Sequence, residues 1–132
     1  MIKFITDIFK DKKKNLLPCI AGIEHAGELT IIRLNGDLSS ESVKCLSNNI
    51  KAEMKDIFDR NILLDFKRVK DTDSSTLAYL ISLLSKLQVQ HRKLGIINTS
   101  EHLDNYITIG RVGQLIHRYD NEKAALIALK IS

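Results

Sequence analysis

Three short apolar runs set the fold class: LTIIRL at Leu29–Leu34, NILLDF at Asn61–Phe66 and LGII at Leu94–Ile97. Each is short enough for a strand. The stretches between them repeat their apolar residues at three and four. Val43, Leu46, Ile50, Met54 and Ile57 share one helical face, and so do Leu77, Leu80, Ile81, Leu84 and Leu87. Strands alternating with helices require parallel pairing through right-handed crossovers. Cys19–Glu24 is expected to form an earlier strand, joined to Leu29–Leu34 through the turn residues Ala26-Gly27, so the first two strands form a hairpin. Asn35-Gly36 is expected to close the second strand. Thr99-Ser100-Glu101 opens a short helix through about Ile109, punctuated by Gly110 and Gly113. Leu115–Tyr119 reads as a last strand, and Asn121-Glu122 starts a closing helix. The expected architecture is α/β: a mixed sheet of four to five strands with about four helices.

The N-terminus stands apart. Met1, Ile2, Phe4, Ile5, Ile8 and Phe9 fall on one face of a short amphipathic helix. Residues 1–14 carry a net charge of +3, whereas residues 15–132 carry +1 of the total +4. The division is residues 1–17, a basic amphipathic helix and linker, and residues 18–132, one domain. The apolar face of that helix can pack on its own domain, dock a second copy or partner, or contact an anionic membrane surface. The near-neutral body argues against nucleic acid, as does an aromatic content of 5% without Trp. Cys19 and Cys45 lie far apart in sequence and read as two reduced, buried thiols of a cytoplasmic protein. The histidines His25, His91, His102 and His117 show no metal-ligand spacing, and no cofactor or metal is expected.

Enzyme signatures are missing: no GxxxxGK[ST], no GxGxxG after a strand, no GxSxG elbow. Asp65, Asp71 and Asp73 could hold Mg²⁺, but Lys67, Arg68 and Lys70 interleave with them and make a solvated mixed-charge loop the simpler reading. The stretch that stands out is DFKRVKDTDSSTLAYL, Asp65 to Leu80. An apolar strand leads through a charged loop to Asp73-Ser74-Ser75 at a helix start. By itself, Ser74 there can be a helix cap, its hydroxyl satisfying a free backbone N–H. Tyr79 and Leu83 lie off the centre of the expected core face of that helix. They fit either a partner surface or a position under the N-terminal helix.

In these segments the chain resembles the STAS domain family, and within it the bacterial anti-sigma factor antagonists. LTIIRLNGDL (Leu29–Leu38) looks like the family's second strand and Gly-acidic turn. Ile62–Phe66, Asp73-Ser74-Ser75 with Leu77, Leu94–Ile97 and Tyr119 through Ala125-Leu126 follow in the family's order. The resemblance implies a phosphorylation-switched protein-interaction module, not an enzyme. Ser74 takes the place of the phosphorylated serine, with Ser75 and Thr76 as alternates. Asp37, Ser39, Asp73, Ser74, Ser75 and Thr76 take places on the partner surface. The implied partner is an anti-sigma factor that is also a serine kinase of the histidine-kinase-like ATPase type, with a PP2C-type phosphatase resetting the switch. Thr76 replaces the usual Gly, and Ser39 replaces an acidic residue. Two other readings keep the fold: a non-switching accessory or scaffold subunit of a larger complex, stressosome-like or lipid-transporting, and a nucleotide- or small-molecule-binding module.

Overall fold

A computed structural model of the chain describes residues 19–38, 43–48, 60–109 and 115–130. The N-terminal helix and linker expected over residues 1–17, Ser39, the later face residues Ile50, Met54 and Ile57, and Gly110 and Gly113 lie outside the described residues. Five strands form one sheet in sequential order. They are β1 (Ile20–Ala26), β2 (Leu29–Leu38), β3 (Asn61–Thr72), β4 (Leu94–Ile97) and β5 (Ile116–Tyr119). β1 and β2 make the expected antiparallel hairpin, and the remaining pairings are parallel. Residues 43–48 are helical (α1), followed by α2 (Ser74–Val89), α3 (Glu101–Ile109) and α4 (Glu122–Lys130).

Strand alternation divides the core between the two faces of the sheet. Ile32, Leu34, Ile62, Leu64, Phe66, Leu94 and Ile96 meet Leu46 of α1, Leu80, Leu83, Leu84 and Leu87 of α2, and Leu103 and Ile107 of α3. Leu29, Ile31, Leu63 and Ile97 meet Ala125 and Leu129 of α4. Helices on both faces explain why the central strands read as continuous apolar runs. α4 approaches closely at Gly95, where an added Cβ would stand 2.8 Å from Leu129 Cδ1 and 3.0 Å from Tyr119 Cε2.

The structure corrects three expectations. First, Asn35-Gly36 does not end β2, and the charged run after Phe66 is not a loop. β2 and β3 continue against each other, with Asn35 opposite Arg68, Gly36 opposite Val69 and Leu38 opposite Thr72. The register shifts on either side of Asn35-Gly36, and Gly36 has φ 76°. The turn chemistry is used to bend a strand instead of closing it. Since β4 ends at Ile97 opposite Asp65, the rest of β3 overhangs, paired with β2 alone.

Second, α2 is rotated from the expected face. Thr76, Leu80, Leu83, Leu84 and Leu87 are buried, while Ile81 is 39% exposed. Both stripes contain Leu80, Leu84 and Leu87, so the wheel alone does not choose between Ile81 and Leu83. Packing on the sheet chooses Leu83, which is core and not partner surface.

Third, Cys19 and Cys45 are not separate thiols. They form a disulfide with a Cα–Cα distance of 6.4 Å. The hairpin lays β1 beside β2, and the chain leaving β2 leads into α1, so topology brings distant cysteines together. No helix among the described residues is long and apolar enough to cross a membrane.

Two consequences for stability follow. The bond closes a loop with a sequence separation of 26, so Cys45→Ser should cost about 3 kcal/mol by urea unfolding. An unchanged unfolding midpoint, with or without reductant, would mean that the bond does not form in solution. Gly95→Ala should cost about 1–3 kcal/mol through overpacking beneath α4, whereas Gly22→Ala, whose Cβ meets nothing within 4 Å, should not.

Candidate functional site

The ends of the parallel strands are pinned by charge. Arg33 and Asp65 are register partners on β2 and β3, and both point to the α4 side of the sheet. Arg33 Nη1 donates to Asp65 Oδ2 at 2.7 Å and to Glu122 Oε1 at 2.7 Å, and Nε donates to Glu24 Oε2 at 2.6 Å. Asp65 Oδ1 also accepts from Asn98 Nδ2 at 2.8 Å and from the Lys67 N–H at 2.9 Å. Burial pushes the Asp65 carboxyl up. The hydrogen bonds from Asn98, Lys67 N–H and Arg33, with the charge of Arg33, outweigh burial and hold it below the usual carboxylate range. The three carboxylates Asp65, Asp71 and Asp73 are therefore engaged separately. Asp65 binds Arg33, Asp71 Oδ1 accepts from the Thr72 N–H, and Asp73 serves the next helix.

Beyond that anchor the β3 overhang carries the chain to α2. Asp73, in extended conformation, is the N-cap of α2, and its Oδ1 accepts from the Ser75 N–H at 2.8 Å. Its carbonyl accepts from the Thr76 N–H at 3.0 Å. Capping, a role open to Ser74 from sequence, is thus performed by its neighbour. Ser74 is the first helical residue and is exposed. Ser75 is half-buried, with its N–H committed to the cap. Thr76 is 1% exposed and faces the core. The first turn of α2 holds no acidic side chain of its own, and the Asp73 carboxylate at the N-cap sits at the positive end of the helix dipole.

The other expected site residues are placed unequally. Leu38 lies opposite Thr72, so the backbone at Asp37 ends beside the strand that delivers Asp73 and Ser74. Tyr79 is partly buried against the core, and burial pushes its phenol pKa up. It can flank a site at the α2 N-terminus with its exposed part only. Leu83 is inside. The charge anchor of Arg33, Glu122 and Asn98 was missed by sequence reasoning. Its signal was there: a charged residue embedded in each of two otherwise apolar runs.

A family model described as Mlab, STAS domain matches residues 21–117. Among solved structures, the chain is similar to TM1081 of Thermotoga maritima, at 14% identity and a TM-score of 0.73, covering 82% of this chain and 92% of that one. It is similar to an anti-sigma factor antagonist from Mycobacterium paratuberculosis, at 17% identity and a TM-score of 0.70, covering 82% and 91%. It is similar also to the Bacillus cell fate determinant SpoIIAA in its phosphorylated form, at 20% identity and a TM-score of 0.62, covering 80% and 96%. At such identities these structures share the fold. No curated protein matches the sequence.

The anchor makes stability depend on pH. The folded pKa of Asp65 is depressed, so its contribution is present above the unfolded carboxyl value of about 4 and is lost as pH falls through the lower folded value. Asp65→Asn should cost about 2 kcal/mol at neutral pH, less than for an isolated buried pair because Glu24 and Glu122 still hold Arg33. It should also flatten the acid limb of the stability–pH curve. An acid limb as steep as that of wild type would show that other carboxylates carry it.

Proposed function

The chain belongs to the STAS domain family, and from that premise we propose that it is a protein-interaction switch of the anti-sigma factor antagonist type, acting by binding and not by catalysis. The observation that carries this reading is the exposed Ser74 at the first position of α2, beside an Asp73 that already caps the helix. A kinase can take the Ser74 hydroxyl without costing the helix its cap. Thr76 would have to leave the core to react, and Ser75 is half-covered, so Ser74 is the acceptor. That a protein of this fold exists in a phosphorylated form supports the reading.

Phosphorylation adds about 1.5–2 negative charges. Placed on an exposed side chain at the helix N-terminus, that charge meets the positive dipole end and leaves the Asp73 cap in place, so the domain should remain folded. In an interface fitted to a neutral serine the same charge must be desolvated beside Asp73, which opposes binding. The partner is an anti-sigma factor with serine kinase activity of the histidine-kinase-like ATPase type. It binds the edge formed by the end of β2 near Asp37, the Asp73-Ser74-Ser75 turn and the exposed part of Tyr79. A PP2C-type phosphatase restores the binding form. A second reading keeps the same fold: a non-switching STAS accessory or scaffold subunit of a larger complex, in which Ser74 has no role.

The two readings part on one pull-down from the source cells with wild type, Ser74→Ala and Ser74→Asp. A switch predicts a kinase-type partner retained by wild type and Ser74→Ala. In Ser74→Asp its affinity should fall by about 2 kcal/mol or more, roughly thirtyfold, with the thermal melt unchanged. A partner held equally by all three contradicts the switch.

A further inference from the structure

The Cys19–Cys45 bond sits at an irregular end of the hairpin. The ladder of β1 on β2 breaks register between Ile20 and Gly22, and the regular pairs run only from Gly22 to Ala26. Cys19, just before β1, is tied down by two bonds. One is the disulfide to α1. The other comes from the Asn35 N–H, which donates to the Cys19 carbonyl at 3.0 Å. Asn35 itself follows the register shift between β2 and β3, two residues before Asp37. Among the described residues of α1, Leu46 is the buried apolar side chain, and Cys45 packs partly buried against the same core.

The rest of the domain does not lean on this bond. α2, α3 and α4 each reach the sheet through their own apolar residues, and β2 to β5 are joined by their own parallel pairs. Breaking the bond therefore leaves the sheet and its core assembled and acts on α1 and the start of β1. The two cysteines are also unequally placed. Cys19 is 0% exposed, whereas Cys45 keeps part of its surface. A nucleophile can approach the bond only from the Cys45 side, since reactivity requires access. Once released, Cys19 remains in the core as a small apolar side chain.

We propose that Cys19–Cys45 is a redox-sensitive latch, opened by a dithiol and closed by a disulfide oxidant, which fixes α1 to the start of β1 in the oxidised form. The chemistry is thiol–disulfide exchange. One thiolate of the dithiol attacks Cys45 Sγ, and the Cys19 sulfur leaves as a thiolate and takes a proton. The second thiol of the reductant then attacks the reductant's own sulfur in the mixed disulfide. That closes the reductant's disulfide and releases Cys45, which takes the remaining proton. Two electrons pass from the dithiol to the protein, and a disulfide oxidant reverses the exchange. Through the Asn35 N–H the latch reaches the strand end at Asp37, so it would tune the proposed partner edge. That consequence rests on the proposed function, and the latch itself does not.

The test combines free-thiol counting with amide hydrogen exchange on the full chain, air-oxidised and after dithiothreitol treatment without denaturant. No free thiol is expected before treatment, and both cysteines should be free after it. Exchange should then quicken about tenfold or more at residues 43–48 and at the Asn35 amide, while Asn61–Phe66 and Leu94–Ile97 stay as protected as before. Glutathione disulfide should restore both readings. Cys45→Ser should exchange as the reduced chain does and ignore dithiothreitol. Cys19→Ala should behave alike, and it serves if Cys45→Ser does not fold. Thiols that glutathione disulfide cannot join, a bond that resists dithiothreitol in the folded chain, exchange unchanged on reduction, or exchange quickened through the whole sheet would overturn the proposal. None of these readings needs Ser74 or a partner, so they stand apart from the test of the switch.

Discussion

The pairing of Arg33 with Asp65 is the constraint on which the arrangement of the site depends. Both residues interrupt apolar strands, and neither could be left unpaired where it stands. Their pairing across β2 and β3 draws in Glu24 from β1, Asn98 from the end of β4 and Glu122 from the start of α4. Such a network adds little stability over an apolar core of the same shape. Its effect is on register. A slip of one residue would turn Arg33 into the face packed by α2 and α3 and exchange the strand's apolar residues between the two faces. The network therefore fixes where the four-strand parallel region ends and where the β3 overhang begins.

The overhang gives the sheet the edge on which the proposed site lies. Past Asp65, β3 no longer pairs with β4 and is held by β2 through a bulged ladder. It carries exposed Lys67, Arg68 and Lys70 outward and then delivers Asp73 to cap α2. The cap fixes the start of α2, and the apolar stripe from Thr76 through Leu87 fixes its rotation on the sheet. Together they leave Ser74 outside and Thr76 inside. Which hydroxyl is exposed is decided by the helix phase, because neighbouring residues of a helix face about 100° apart.

Much of the fold was legible in sequence because period is a local property. Short apolar runs gave the buried strands, the close spacing of the first two gave the hairpin, and Thr99-Ser100-Glu101 marked the start of α3. The continuation of β2 and β3 was not legible. Asn35-Gly36 is a turn signal, and the KRVKD run after Phe66 is a loop signal, until each strand supplies the other's hydrogen bonds. The disulfide was hidden for the same reason, since nothing local marks Cys19 and Cys45 as neighbours. Asp73 and Ser74 are both capping residue types in adjacent positions. Sequence could place the helix start there without saying which one caps, and the free hydroxyl depends on that difference.

Phosphosite mapping of the chain recovered from its own cells under kinase-active conditions tests the central claim most directly. The geometry predicts a single phosphoryl group on Ser74, with Ser75 and Thr76 unmodified. A phosphoryl group on Thr76 or Ser75, or a chain that stays unmodified while its kinase partner is bound and active, would contradict it.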